Sequence, residues 1–188
     1  MRRILVLILV GLVLFSVAEA RQYGDVTIPD TLQAGGESLV LNGAGYRSKF
    51  FMKMYLGGLY LKEQGSDAEA IISADEAMLM KLHITSGKVT TKRMIDAIDE
   101  GFQKSSQVGM YAPPEKIDQF KACFSEKIEK GDIFDIAYVP GEGVKVFKNE
   151  TLAGTIEGLD FKKAVFGIWL SSKPADNGLK KKMLGLEK

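Results

Sequence analysis

Arg47 and Tyr55 are the residues of this chain best suited to hold a charged ligand. Arg47 closes the stretch Leu41-Asn42-Gly43-Ala44-Gly45-Tyr46-Arg47, and Tyr55 lies within Lys53-Met54-Tyr55-Leu56-Gly57-Gly58-Leu59-Tyr60-Leu61. A guanidinium is permanently charged and presents a planar fork of donors that matches a carboxylate or an enolate oxygen. A nearby phenol would add one hydrogen bond. The first stretch reads as a glycine-punctuated turn delivering the arginine to the mouth of an apolar cleft, and the second as a strand. Residues an even number of positions apart in extended chain share a face, so Arg47, Phe51, Lys53 and Tyr55 would look into one cleft. Each also has a plainer reading: Arg47 as a loop anchor on backbone carbonyls, Tyr55 as a core aromatic, Lys53 as a snorkelling surface residue.

Other reactive side chains are few. The chain has one histidine, His83, and one cysteine, Cys123, so a structural zinc site of the usual ligands is excluded and no metal or cofactor is expected. His83 falls between Leu82 and Ile84 with no serine or cysteine motif to pair with, and reads as a sheet-surface histidine. Cys123 lies beside an apolar helical stripe, reads as buried and inert, and has no partner for an intrachain disulfide. Gly43-Ala44-Gly45 lacks both the spacing and the following helix of a nucleotide loop. Met52, Met54, Met78, Met80 and Met94 read as core, although flexible thioethers would also suit acyl chains of varied length. Lys180-Lys181-Lys182 reads as the solvated end of a helix.

The first twenty residues have the pattern of an export signal. Arg2 and Arg3 precede an apolar run over residues 4–17, and Ala18-Glu19-Ala20 fits small-x-small cleavage. The run is short for a membrane span, and no lipobox cysteine follows it. The expected organisation is a signal peptide over 1–20 and a single domain over 21–188, released near Ala20 into a periplasmic or secreted location. Removing Arg2, Arg3 and Glu19 from 25 basic and 24 acidic residues leaves the two types equal in number. Such a chain has no net charge to draw it to nucleic acid or an anionic membrane.

The elements that must position Arg47 and Tyr55 follow from hydrophobic periodicity. Residues 26–28 and 39–45 read as short strands around a Gly35-Gly36 turn. Residues 50–61 read as one long strand, apolar on both faces and therefore central and covered on both sides. Gly57-Gly58 within it marks a bulge or a close approach to the backbone. A short helix over 67–72 and an alternating strand over 77–85 follow. The period then becomes helical over 89–105, with Met94, Ile95, Ile98 and Phe102 on one face and Ser86, Thr90 or Thr91 as cap. Pro114 opens a helix with an Ile117, Phe120, Phe124, Ile128 stripe, closed by Gly131. Strands over 133–139, 144–147 and 151–156 form a meander. Asp160 then caps a helix over 161–170, and a short helix over 179–184 ends the chain. The order predicts an α+β fold with an antiparallel sheet.

The opening stretch, together with Gly131-Asp132-Ile133-Phe134-Asp135-Ile136, Tyr138-Val139-Pro140-Gly141-Glu142-Gly143, Gly158-Leu159-Asp160-Phe161 and Ile168-Trp169-Leu170, resembles the bacterial chalcone isomerase-like family. The resemblance runs over residues 26–184. It implies an antiparallel sheet with helices packed on one face and a ligand cleft between them. Arg47 matches the arginine that in plant chalcone isomerases holds the anionic nucleophile and the developing enolate. Those enzymes also use a tyrosine and an asparagine on the cleft-covering helices and a threonine on the strand. Here Tyr55 stands at the threonine position, and residues 61–110 contain neither tyrosine nor asparagine. The fatty-acid-binding branch of the fold, which pairs an arginine with a tyrosine on the next strand, is the nearer likeness.

The expectation is therefore an exported, non-catalytic protein that binds an apolar carboxylate such as a fatty acid through Arg47 and Tyr55. One alternative is an isomerase, or intramolecular lyase, acting on an enone with Arg47 as oxyanion stabiliser and Tyr55 as acid. A second is a structural accessory protein with a vestigial cleft.

Overall fold

The structure, a computed structural model, describes residues 20–187. The expected leader, apart from Ala20, lies outside the described residues. A small hairpin of β1 (Ala20–Tyr23) and β2 (Val26–Pro29) leads into an antiparallel sheet of β3 (Thr31–Ala34), β4 (Glu37–Lys49), β5 (Met52–Leu61), β6 (Met78–Ile84), β7 (Ile133–Val139), β8 (Gly143–Lys148) and β9 (Thr151–Ile156). The spatial order of these seven strands is their order in sequence. Helix α1 (Ala68–Ser73) bridges β5 to β6; α2 (Thr91–Ser106) and α3 (Pro114–Ala122) bridge β6 to β7; α4 (Leu159–Leu170) and α5 (Asn177–Met183) close the chain.

Strand alternation decides which side chains meet the helices. Tyr55, Leu59 and Leu61 of β5, Met78, Met80, Leu82 and Ile84 of β6, and Phe134, Ile136 and Tyr138 of β7 form the main core with α2, α3 and α4. Each large apolar side chain buried there contributes about 1.5–3 kcal/mol. Rings continue the contact: Phe102 of α2 meets Phe120 of α3 with centroids 5.7 Å apart, and Phe124 stacks on Phe134 at 4.8 Å. On the opposite face Leu56, Tyr60, Leu79 and Ala137 pack with Leu39, Leu41 and with Val26 and Ile28 of the small hairpin. The central strand is thus covered on both sides, as its sequence predicts. Helices lie on one face and the β1–β2 hairpin on the other.

Four local expectations are corrected. Gly43-Ala44-Gly45 is not a turn but the middle of β4, which runs unbroken from Glu37 to Lys49. Its glycines make room for α5: a Cβ on Gly43 would stand 2.1 Å from the Lys182 carbonyl oxygen, and one on Gly57 of β5 2.5 Å from the Met183 Cε. The close approach expected near Gly57 is therefore the α5 contact. The turn falls instead at Phe50-Phe51, with φ of 51° and 63°, so β5 begins at Met52 rather than Phe50. Helix α3 ends at Ala122 rather than near Gly131. Carbonyls beyond it are taken by other elements: Thr91 donates to Glu126 O at 2.8 Å and Lys148 to Lys127 O at 2.7 Å. Phe124 and Ile128 still reach the core from that irregular segment. Finally, Gly158, not Asp160, occupies the cap of α4; Asp160 sits in its first turn, where a carboxylate suits the helix dipole.

Of the three terminal lysines, Lys181 alone is exposed. Lys180 donates to Ser171 O at 2.9 Å, and the Lys182 stem lies over Gly45.

Candidate functional site

Antiparallel pairing, not parity along one strand, brings the expected pair together. Arg47 of β4 is the direct partner of Tyr55 of β5, and cross-strand partners share a face. The Arg47 Cζ sits 5.8 Å from the centre of the Tyr55 ring. A register shift after Arg47 makes Lys53 the partner of Ser48 and turns it to the other face, where its ammonium lies 4.3 Å from the Tyr46 ring centre. Phe51 does not look into the cleft either; it stands at the hairpin tip. Of the four residues predicted to share a face, the structure joins two.

These two line a cleft of 320 Å³ between the β4–β5 hairpin and α2. Met52, Met54, Val89 and Met94 give it apolar walls, and Lys49, Arg93, Asp96 and Glu100 stand at its edges. The volume is at the small end of the ~300–1,000 Å³ typical of ligand pockets. Of the methionines expected in the core, Met78, Met80 and Met94 are buried within it and Met54 packs against it, whereas Met52 is exposed; Met52, Met54 and Met94 also line the cleft.

Local pairing occupies the carboxylates of the cleft and leaves its cations, Arg47 with Lys49 and Arg93, without a carboxylate partner among the described residues. Asp96 is engaged by Lys92 at 2.9 Å and Glu100 by Lys104 at 2.7 Å, both one helical turn away on α2. The Lys104 hydrogen bond is the main reason that the Glu100 carboxyl lies below its ordinary range, with the field of Lys104, Lys49 and Arg47 adding to it. Among the described residues, no carboxylate comes within 4.0 Å of the Arg47 guanidinium. A cation on an apolar wall with its neighbouring anions already paired is suited to an incoming carboxylate.

Tyr55 is buried, and its hydroxyl accepts a hydrogen bond from Trp169 Nε1 of α4 at 2.8 Å. Accepting from the indole leaves the phenol its own proton to donate. Burial pushes the Tyr55 hydroxyl up, against the opposing pull of the Arg47 charge and the Trp169 bond, so it remains a protonated donor at neutral pH. Sequence reasoning reached Trp169 as part of a motif but not this contact. The pair is 114 positions apart, and no spacing rule connects them.

Lys162 was also missed. It is fully buried, and its ammonium donates to Ile71 O at 2.9 Å, Ile72 O at 2.8 Å and Ala74 O at 2.7 Å, the carbonyls at the end of α1. Burial brings its pKa down to about 8, with Asp75 opposing. It is a clamp between α4 and α1, remote from the cleft. His83 pairs in register with Leu56 and Ile133 on the sheet face opposite the main core; burial, then Lys81, hold it below its ordinary value. Cys123 is buried with its thiol pushed up by burial.

The antiparallel sheet with a helical layer on one face agrees with a family model described as chalcone isomerase-like, which matches residues 20–185. The chain belongs to the chalcone isomerase-like family. Within that family's fold, a solved structure similar to it is a fatty-acid binding protein of Arabidopsis thaliana, with a TM-score of 0.73 and 16% identity. The match covers 88% of this chain and 96% of that one, and at this identity it is a likeness of fold. No curated protein sequence matches the chain. Among the described residues, no helix is long and apolar enough to cross a membrane.

Proposed function

We propose that this protein is an exported carrier that binds a short- to medium-chain apolar carboxylate, such as a fatty acid, without transforming it. The leader pattern over 1–20 supports a periplasmic or secreted location. The observation that carries the binding reading is Arg47, a cation with no carboxylate of the described residues in reach, set on the wall of a cleft lined by methionines. Arg47 would take the carboxylate, Tyr55 would donate one hydrogen bond to it, and Met52, Met54 and Met94 would surround the tail. Each buried methylene contributes about 0.8 kcal/mol, so a few carbons offset the cost of partly desolvating one paired charge. The fold likeness to a fatty-acid binding protein agrees with this reading.

The test is gentle native mass spectrometry of the processed protein purified from the export compartment, followed by organic extraction. An acidic lipid that copurifies with the wild type and is lost in Arg47→Ala supports the carrier. A protein that is empty and fails to take up added decanoate refutes it.

A further inference from the structure

The β4–β5 turn exposes two aromatic side chains where a hairpin ordinarily places asparagine and glycine. Phe50 is 81% and Phe51 106% exposed, and Met52 beside them is 43% exposed. Both phenylalanines hold a left-handed backbone, φ 51° and 63°, which non-glycine residues enter at a free-energy cost. The resulting tip is convex, so a protein partner would need a matching socket, whereas a bilayer accepts a convex apolar wedge.

Along the hairpin itself the charge is of one sign; the carboxylates that face it come from other elements, Asp176 at Ser48 and Asp96 and Glu100 across the cleft, the last two each engaged by a lysine of α2. Lys49 and Lys53 flank the aromatic pair, and no acidic residue occurs between Glu37 and Glu63. The near-zero net charge of the whole chain hides this segregation. Lysines flanking exposed aromatics match an anionic lipid interface: the rings enter the headgroup–acyl boundary and the ammonium groups reach the phosphates. The tip is also continuous with the cleft, since Lys49, Phe50 and Met52 belong to its lining.

We infer that the Phe50-Phe51 hairpin is a membrane-docking wedge that seats the cleft mouth on an anionic lipid bilayer. Docking stands on the hairpin alone; its use, passing an apolar carboxylate between bilayer and cleft, rests on the carrier reading.

The test is flotation of the processed protein with vesicles of phosphatidylcholine, with or without about one-third phosphatidylglycerol. The wild type is expected to float with the anionic vesicles. Phe51→Gly removes a side chain that is outside the cleft lining and suits a φ of 63°, so the fold is retained. It should weaken vesicle partitioning by about tenfold. Lys53→Gln should narrow the difference between the two vesicle types. Equal flotation of wild type and Phe51→Gly overturns the inference, as does a wild type that stays in solution. A Phe51-dependent dimer seen by light scattering without vesicles, with no flotation, also overturns it and assigns the tip to a protein contact. Binding of dissolved decanoate by the same preparations separates the two proposals. A protein that floats without taking up decanoate refutes the carrier, and one that takes it up without floating refutes the wedge.

Discussion

Replacing Arg47 by methionine while varying the ligand separates the head of the site from its walls. Arg47 is half-buried, and among the described residues no carboxylate lies within 4.0 Å of it. A charge-assisted hydrogen bond is worth about 1.5–3 kcal/mol, and partial exposure places this one at about 2 kcal/mol, a factor of about 30 in Kd. The tail acts independently: at about 0.8 kcal/mol per methylene, each added carbon should tighten binding about fourfold until the 320 Å³ cleft is filled. Titration calorimetry of carboxylates from hexanoate to dodecanoate should therefore give two parallel lines against chain length, wild type and Arg47→Met. Both should level off at the same length. The corresponding alcohols, which have no charge to pair, should bind the two proteins with similar affinity. If Arg47→Met weakens acids and alcohols alike, the arginine shapes the cleft rather than anchoring an anion. If the slopes differ, the tail does not lie along the methionine wall.

Trp169→Phe removes the indole donor to Tyr55 and should lower stability by about 1 kcal/mol in urea unfolding. Combined with Tyr55→Phe it should be non-additive by a similar amount, and additive losses would mean that the bond contributes nothing. Lys162 ties stability to pH. With its folded pKa near 8 and its ordinary value at 10.5, it is charged in both states below 8, where the folded chain carries the whole burial penalty. Between 8 and 10.5 the unfolded chain binds the extra proton, so this group's contribution to stability rises with pH. Tyr60 and Tyr138, whose folded pKa values are raised, act in the opposite sense above about pH 10, so the quantity to follow is wild type minus variant. At pH 10 the neutral Lys162 amine still offers two N–H donors to the α1 carbonyls, so Lys162→Met should cost about 2 kcal/mol there, with the difference shrinking toward pH 7. A difference independent of pH would refute the titration.

Where one periodicity dominated, the sequence was legible. β6 sends Met78, Met80, Leu82 and Ile84 to the main core as its alternation predicts, and α2 buries Met94, Ile98 and Phe102 from a Thr90 cap. The misreadings share a cause: each depends on something distant in sequence. Gly43 and Gly45 signal a turn locally, and only the arrival of α5 shows that they clear a path for a helix. Phe50-Phe51 carries no turn chemistry, so a left-handed hairpin there was invisible, and the parity count through it failed for Phe51 and Lys53. Arg47 and Tyr55 nonetheless meet, because a two-residue turn and one register shift leave them as direct partners. Lys162 lies beside Lys163 in a helix whose neighbours are apolar, and nothing local distinguishes the buried lysine from the half-exposed one.

The same helix bears on the proposed carrier role. Helix α4 clamps α1 through Lys162 and fixes the Tyr55 hydroxyl through Trp169, so the phenol is tied to the most buried helix of the molecule. Its burial-raised pKa keeps it a hydrogen-bond donor and makes proton loss costly, which suits recognition of a carboxylate better than proton transfer. Asp96 and Glu100, the carboxylates at the cleft edge, are held by lysines of their own helix, and His83 belongs to the other face of the sheet. Around the cleft this leaves Arg47, Lys49 and Arg93 without a carboxylate partner among the described residues, one protonated phenol and apolar walls. An acid–base reaction needs a group that both takes and returns a proton near neutral pH. An apolar anion needs only a fixed cation, a donor and a dry surface of about its own length, and those are the groups that β4, β5 and α2 bring together.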